Sequence, residues 1–134
     1  VMMKYIFLIL VLAFNLHATD AKFFTALHQV ETSGRTGAIR GDQGRSLGPY
    51  QISKAYWLDA TYRSPSLRAQ GYGSVSRIDY SRRIVVLYCQ RYEPTAVKAK
   101  NYETLARLHN AGPRWSKKKH LTHGYWRKFE KRLR

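Results

Sequence analysis

Two carboxylates, Glu31 and Asp42, lie eleven residues apart on either side of a glycine-rich segment. Glu31 ends the short amphipathic run that begins at Phe23, whereas Asp42 falls in the turn-forming sequence Gly41-Asp42-Gln43-Gly44. Cleavage of a glycosidic bond commonly uses such a pair, with one carboxyl protonated as the acid and the other ionised across the scissile bond. A helix end packed on the core and a polar loop would separate their pKa values. We therefore interpret Glu31 as a general acid and Asp42 as a nucleophile or second carboxylate.

Each carboxylate also has an ordinary structural interpretation. Glu31 could be a solvated glutamate at a helix end, since most glutamates are exposed. Asp42 could simply be a turn residue, but this is compatible with catalysis because a turn can present the side chain. Whether such a pair retains or inverts the sugar configuration depends on the separation of the two carboxyls, which the sequence does not give.

Several polar and aromatic side chains near these carboxylates could line a sugar cleft, with rings stacking on pyranose faces and amides bonding acetamido groups. These candidates are Ser46, Tyr50, Gln51, Tyr56, Trp57, His109 and Asn110. Core packing explains Trp57 equally well, and a lone histidine such as His109 is more often structural. The other histidines and Cys89 show no metal-ligand spacing, so neither a metal site nor a cofactor is predicted.

Hydrophobic periodicity predicts an α+β, mostly helical domain with a small glycine-rich β-hairpin or turn wing. Apolar residues at helical spacing predict a first helix over Lys22–Glu31, and five glycines from Gly34 to Gly48 favour turns. Further helices are predicted over Ser53–Thr61, Asp79–Tyr92 and Tyr102–Asn110, followed by a basic C-terminal helix that carries Tyr125, Trp126, Phe129 and Leu133. Asn101 is a candidate N-cap, Tyr62–Ser76 is predicted to be a connecting loop, and Glu93-Pro94 is expected to close the longest helix.

The first 21 residues have the layout of a signal peptide, with cleavage near residues 18–21. Lys4 precedes the apolar run Tyr5–Phe14, and small residues follow at Ala18 and Ala21. A buried N-terminal helix and an uncleaved anchor are the alternatives. Residues 22–134 are then a single catalytic domain, secreted or periplasmic. With one cysteine in the chain, the domain cannot form an internal disulfide and must depend on packing.

A net charge of +16 at pH 7 predicts polyanionic partners: nucleic acid, anionic lipid or the acidic polymers of a bacterial surface. No nucleic-acid reading module is recognisable, so specific nucleic-acid binding is not expected. The segment Arg114–Arg134 holds nine Lys and Arg against one Glu. A segment with so many positive charges could bind an anionic surface even if the protein had no catalytic activity. A monomer is expected.

A set of short motifs resembles the invertebrate-type (destabilase) lysozymes. The motifs are Glu31-Thr32-Ser33-Gly34, then Asp42, Gly48-Pro49-Tyr50-Gln51-Ile52, Ala55-Tyr56-Trp57-Leu58-Asp59-Ala60, Leu105-Ala106-Arg107-Leu108-His109-Asn110-Ala111-Gly112-Pro113 and Gly124-Tyr125-Trp126. In order and spacing they cover nearly all of residues 22–129. Compared with the family pattern, Thr32 replaces a serine, Ala111 replaces a glycine, and the animal members' cysteines are absent.

The resemblance implies a lysozyme-like fold and hydrolysis of the β-1,4 linkage between N-acetylmuramic acid and N-acetylglucosamine in peptidoglycan. It implies Glu31 as the proton donor and Asp42 as the nucleophile. Two alternatives stay open. A lytic transglycosylase would use Glu31 alone and release an anhydro product, and a non-catalytic cationic protein would bind walls or membranes by charge.

Overall fold

The computed structural model describes residues 20–134, which form seven helices and one small sheet. The helix α1 covers residues 20–32 of the described chain. The other elements, in chain order, are β1 Arg40–Gly41, β2 Ser46–Leu47, β3 Ile52–Ser53, α2 Lys54–Ala60, α3 Pro65–Ala69, α4 Ile78–Tyr92, α5 Pro94–Ala99, α6 Tyr102–Ala111 and α7 Lys119–Arg132. Short 3₁₀ turns cover Asp42–Gly44, Tyr72–Ser76 and Trp115–Lys118. The predicted α+β architecture is therefore confirmed.

The sheet is a three-stranded antiparallel wing in the order β1-β2-β3. Arg40 pairs with Leu47, and Ser46 pairs with Ser53. Glycines make the tight returns possible, because Gly44 and Gly48 adopt φ values of +86° and +85° that side chains disfavour. The predicted turn-rich wing between α1 and α2 is thus a hairpin extended by a third short strand.

The core forms around α4, whose Ile84 and Val85 have no solvent exposure. Leu27 of α1, Leu108 of α6 and Phe129 of α7 are equally inaccessible. Burying a side chain of this size contributes about 1.5–3 kcal/mol. Because one core collects residues from both ends of the described chain, residues 20–134 pack as a unit without a disulfide.

Two predicted helix starts are fixed by side-chain caps. The Ser53 hydroxyl accepts a hydrogen bond from the Tyr56 amide at the start of α2 (3.1 Å). The Asn101 side chain accepts one from the Thr104 amide at the start of α6 (3.2 Å), which confirms Asn101 as the predicted N-cap. Each cap satisfies a backbone donor that would otherwise lack an intrahelical partner.

The prediction of an irregular loop over Tyr62–Ser76 is wrong. This segment contains α3 and a 3₁₀ turn, each contributing a buried apolar residue, Leu67 and Val75. Pro65 occupies the first turn of α3, where its missing N–H costs nothing. The contacts that stabilise the segment come from elsewhere in the fold, since the Tyr80 hydroxyl donates to the Leu67 carbonyl (2.6 Å).

Pro94 closes α4, as predicted, but it also begins α5, which the sequence analysis missed. Proline suits the first helical turn for the same reason as in α3. The new helix buries Ala96 and ends at Lys100, which adopts a left-handed conformation. The helix break therefore redirects the chain rather than ending helical structure.

The predicted signal peptide lies outside the described residues, apart from its last positions, Asp20 and Ala21, which belong to α1. Among residues 20–134, no helix combines the length and the apolar character needed to cross a bilayer.

Gly48 provides a direct test of how the wing is held on the helical body. A Cβ at this position would collide with the Val75 carbonyl oxygen, and the backbone φ of +85° already disfavours a side chain. We expect Gly48→Ala to lower the free energy of unfolding by about 3 kcal/mol, from strain and overpacking together. Urea unfolding measures the change. Gly73→Ala is the matched control because a Cβ there meets nothing within 4 Å, and a similar loss in both variants would contradict this account.

Candidate active site

Glu31 lies in the last turn of α1, where the helix meets the sheet wing. Its side chain is 18% exposed, so it is shielded without being sealed from solvent. The following residue fixes this junction, because the Thr32 hydroxyl donates to the Pro49 carbonyl of the β2–β3 loop (3.0 Å). Glu31 is therefore placed at a boundary between the helical body and the wing.

His109 of α6 reaches the same place from the other side. Its ring is 2% exposed, and its Nε2 lies 2.8 Å from the Tyr50 carbonyl oxygen and 3.4 Å from a Glu31 carboxylate oxygen. A carbonyl oxygen only accepts hydrogen bonds, so Nε2 must carry a proton. In the neutral ring, Nδ1 then accepts from the Tyr56 hydroxyl (3.0 Å). His109 thus contacts Glu31 through an N–H group, and its ring is held in place by hydrogen bonds to the Tyr50 carbonyl and the Tyr56 hydroxyl.

Tyr56 completes this cluster from α2. Its ring stacks on Tyr88 with centroids 3.6 Å apart and meets the His109 ring edge-on. Burial raises the pKa of Tyr56 well above its usual value, and the negative charge of Glu31 adds to the rise. The hydroxyl therefore stays protonated and continues to orient His109 throughout the physiological pH range.

Tyr125 of α7 is a member of this site that the sequence analysis assigned only to an apolar stripe. Its hydroxyl is shielded from solvent and has no hydrogen-bond partner within residues 20–134. Burial raises the pKa of Tyr125 well above its usual value, and the Glu31 charge raises it further. Tyr125 therefore lies within the electrostatic influence of Glu31. A polar hydroxyl on an otherwise apolar helix face is the signal that could have identified it.

Asp42 lies in a different environment, in the 3₁₀ turn after β1. Its side chain is 65% exposed and pairs with the equally exposed Arg45 at 3.3 Å. Exposed pairs of this kind contribute little to stability. Both Asp42 and Gln43 have left-handed φ values, +50° and +58°, a conformation that costs roughly 1–2 kcal/mol per residue. Within residues 20–134, no hydrogen bond or ion pair joins Asp42 to Glu31.

Gln51 and Ser46 hold the shape of the wing. The Gln51 side-chain amide donates to the carbonyl oxygens of Ile39 and Gly48, each at 3.0 Å. Its side chain packs where a Cβ on Gly41 would lie, which explains the glycine there. Ser46 is half-buried in β2. Both residues therefore lie beside the turn that presents Asp42.

The remaining candidates divide between the core and the surface. Tyr50 and Trp57 are buried, and the indole N–H of Trp57 donates to the Tyr80 hydroxyl at 2.8 Å. Asn110, next to His109 near the end of α6, is exposed. The structure thus brings Glu31, His109, Tyr50 and Tyr56 into direct contact, whereas Trp57 packs in the core.

A cavity of about 810 Å³ lies elsewhere, lined by residues of α1, α3 and α4 that include Phe24, Arg82 and Cys89. None of the residues predicted to do chemistry or to bind sugar lines it. Burial raises the pKa of the Cys89 thiol to about 12, so this cysteine is chemically inert. In the described part of the chain, no three His, Cys, Asp or Glu side chains cluster closely enough to hold a metal ion.

His109 is expected to be essential for the stability of the site. The substitution His109→Phe keeps the ring shape but leaves the Tyr50 carbonyl and the Tyr56 hydroxyl unpaired. Leaving buried polar groups unsatisfied costs about 1–3 kcal/mol, so we expect a loss of that size in the free energy of unfolding. His123→Gln, at an exposed position of α7, is the control and should change stability by less than about 0.5 kcal/mol. Equal urea unfolding midpoints for both variants would show that the hydrogen bonds of His109 do not contribute to stability.

Comparison with known proteins reveals clear relatives. The family model described as Destabilase matches residues 20–132. Lysozyme from Meretrix lusoria is 33% identical over 105 residues, which are 77% of this chain and 81% of that protein. Lysozyme 1 from Crassostrea virginica is 35% identical over 85 residues, which are 63% of this chain but only 44% of that protein. The chain therefore spans less than half the length of this second relative.

The fold comparison agrees with the sequence comparison. A chain in the crystal structure of Aeromonas hydrophila PliI in complex with Meretrix lusoria lysozyme matches with a TM-score of 0.65 and 28% identity. The match covers 83% of this chain and 88% of that one. The same arrangement of helices and sheet wing thus occurs in a structure determined by experiment.

Proposed function

The chain belongs to the destabilase family of invertebrate-type lysozymes, and on this premise we propose that it is a muramidase. The reaction is hydrolysis of the β-1,4 linkage between N-acetylmuramic acid and N-acetylglucosamine in peptidoglycan. The relatives at 33% and 35% identity are named lysozymes. This sequence similarity favours a glycan-cleaving activity over other functions.

The observation that carries the proposal is the contrast between the two carboxylates. Glu31 is 18% exposed and lies against a buried imidazole N–H, whereas Asp42 is 65% exposed on a glycine-rich wing. Different surroundings allow two carboxylates to take different protonation states and hence different roles. Glu31 is the proposed general acid, and Asp42 is the proposed nucleophile or second carboxylate.

In this mechanism, Glu31 donates a proton to the oxygen of the leaving sugar while its position is set by His109. Asp42 approaches the anomeric carbon from the wing and either bonds to it or stabilises its positive charge. A water molecule then gives a proton to the Glu31 carboxylate and bonds through its oxygen to the anomeric carbon, which completes the hydrolysis. The left-handed backbone at Asp42 and Gln43 supports a functional role, since strained residues that persist in a fold cluster at active sites. The Tyr125 hydroxyl, buried and without a hydrogen-bond partner in the described residues, adds a polar group to the surroundings of Glu31.

The predicted sugar-contacting residues take different parts in this proposal. Ser46 and Asn110 retain exposure and are the candidates for direct contact. Tyr50, Gln51 and Tyr56 would shape the proposed sugar cleft through their hydrogen bonds to the backbone and to His109, and Trp57 would support it from the core. Glycan strands are the expected partner, attracted together with other anionic components of the bacterial surface by the net charge of +16.

The division of the chain into a signal peptide and a catalytic domain stays a prediction from the sequence. We propose that residues 1–21 are a signal peptide and residues 22–134 the catalytic domain, acting outside the cytoplasm as a monomer. Mass spectrometry of the secreted protein would identify the first residue. A first residue before position 18 would contradict the predicted cleavage site.

A lytic transglycosylase is the second candidate, because Asp42 is exposed and forms no hydrogen bond or ion pair with Glu31 in the described residues. Such an enzyme uses one glutamate as acid and then base, and the sugar's own hydroxyl attacks to give an anhydro product. Mass spectrometry of digested peptidoglycan separates the two reactions. Fragments that have gained the mass of water support hydrolysis, and anhydro fragments would show that the proposed hydrolysis is wrong.

A further inference from the structure

The helix α7 presents two faces of opposite character. Its inward face carries Thr122 and Phe129, which have no solvent exposure, and its outward positions are predominantly basic. Arg107 of α6 fixes the start of the helix by donating to the Lys119 carbonyl and the Thr122 hydroxyl at 3.0 and 2.8 Å. The basic positions are therefore held on a rigid support.

The exposed cations of this region form what we call the α7 basic face. It consists of Lys117, Lys118, Lys119, Arg127, Lys128, Lys131 and Arg132. Glu130 is the single acidic residue from Arg114 to Arg134. Within residues 20–134, the ion pairs formed by Arg45, Arg91 and Arg107 lie elsewhere, and none involves the α7 basic face.

We propose that the α7 basic face binds a linear polyanion of the bacterial wall, a phosphodiester-linked polymer without bases. The 14 residues of α7 span about 21 Å, with Lys119 at the start of the helix and Arg127, Lys128, Lys131 and Arg132 in its last two turns. A flexible phosphodiester chain can adapt to such an uneven distribution of charge, because lysine binds phosphate as a point charge without demanding one fixed geometry. The choice of the bacterial wall rests on the proposed function.

A membrane surface fits this face less well. A helix that lies in a lipid interface needs a broad apolar face to bury among the acyl chains. The apolar stripe of α7 already packs against the core, with Phe129 fully buried and Tyr125, Trp126 and Leu133 partly buried. Leu121, 66% exposed, is the one large apolar residue of α7 that is exposed.

Nucleic acid also fits less well. Single strands are bound without sequence preference by combining positive charge with aromatic rings on which the bases stack. The α7 aromatic rings point towards the core instead, with Trp126 stacked near Phe129 at a centroid distance of 6.0 Å. The α7 basic face can therefore bind a polyanion through charge, but it offers no exposed aromatic rings on which nucleic-acid bases could stack.

The test compares two variants of the full chain that each lose four lysines. The first carries Lys117→Gln, Lys118→Gln, Lys128→Gln and Lys131→Gln, and the control carries Lys22→Gln, Lys54→Gln, Lys98→Gln and Lys100→Gln. All eight positions are exposed. Both variants also carry Glu31→Gln, so that binding is measured without lysis. Urea midpoints confirm that both are folded.

Binding is measured on walls that carry phosphodiester polymers and on the same walls after hydrofluoric acid has removed them. We expect the α7 variant to bind intact walls at least about tenfold more weakly than the control variant, and the two to bind stripped walls equally. The slope of log affinity against log salt should fall by about 3 for four lost phosphate contacts. Equal binding of both variants to intact walls would overturn the proposal.

Two further experiments identify the class of polymer and test the binding proposal independently of the proposed enzymatic activity. Purified wall polymer, anionic phospholipid vesicles and an oligonucleotide are compared as competitors for binding to the α7 basic face. If the vesicles or the oligonucleotide compete as effectively as the wall polymer, the assignment of the polymer class is wrong. With Glu31 restored, both variants should cleave soluble, polymer-free glycan strands at the parental rate. If neither the parent nor the variants cleave them, the enzymatic proposal fails while the binding result stands.

Discussion

Replacing Glu31 with glutamine is expected to lower the rate of glycan cleavage by about 10²–10⁴-fold, the usual contribution of a general acid. The glutamine side chain has nearly the same size and can still accept from the His109 N–H through its carbonyl oxygen. It cannot deliver a proton to the leaving sugar. The loss should therefore appear in kcat on soluble glycan strands, while the unfolding midpoint stays close to that of the parent.

The control for this prediction is Glu130→Gln, at an exposed position of α7. It removes the same charge far from the proposed chemistry and should retain the parental kcat. Clearing of a cell-wall suspension is measured in parallel. If Glu31→Gln clears the suspension as fast as the parent, the protein acts through its positive charge, and the non-catalytic alternative is correct.

Replacing Asp42 with asparagine should have the second-largest effect, a loss of about 10²–10³-fold, the usual cost of removing one group that stabilises charge in the transition state. Asparagine tolerates the left-handed backbone at this position nearly as well as aspartate. The exposed pair with Arg45 contributes little, so stability should hardly change. The expected loss of cleavage rate would then result from the missing negative charge beside the anomeric carbon.

Asp79→Asn, another exposed aspartate, is the control for the loss of a single negative charge. Product masses are measured together with the rates. If Asp42→Asn keeps the parental rate and yields anhydro fragments, Asp42 has no chemical role and a transglycosylase mechanism replaces hydrolysis. If it is slow and the residual product has gained water, the two-carboxylate mechanism is supported.

The features that could be predicted from the sequence are those encoded by neighbouring residues. Helical spacing located α4 and α6, and the Asn101 cap followed from its position before an apolar run. The glycines between Gly34 and Gly48 predicted the wing because each tight return needs a backbone conformation that glycine adopts freely. The segment with α3 was missed because its helical turn depends on distant contacts, such as the bond from Tyr80 to Leu67.

The candidate site shows the same division. The ordered motifs placed Glu31 and Asp42 in their elements, but they proposed His109 only as a sugar-contacting residue and not as a neighbour that positions Glu31. That role depends on residues 53 and 59 positions away, Tyr56 and Tyr50, which orient the ring. Tyr125 was overlooked because local periodicity describes its helix face as apolar and does not identify the carboxylate opposite it.

The sequence by itself determined the family, the helices with strong periodicity, the turn-rich wing and the positive charge, because each is expressed in residue types and short spacings. Only the tertiary structure decided which side chains meet. It shielded Glu31 beside His109, left Asp42 exposed and turned the α7 aromatics inward, so that the cations remain on the surface. The physical reason is that burial and proximity arise when elements from distant parts of the chain pack on one core, and no local pattern contains that information.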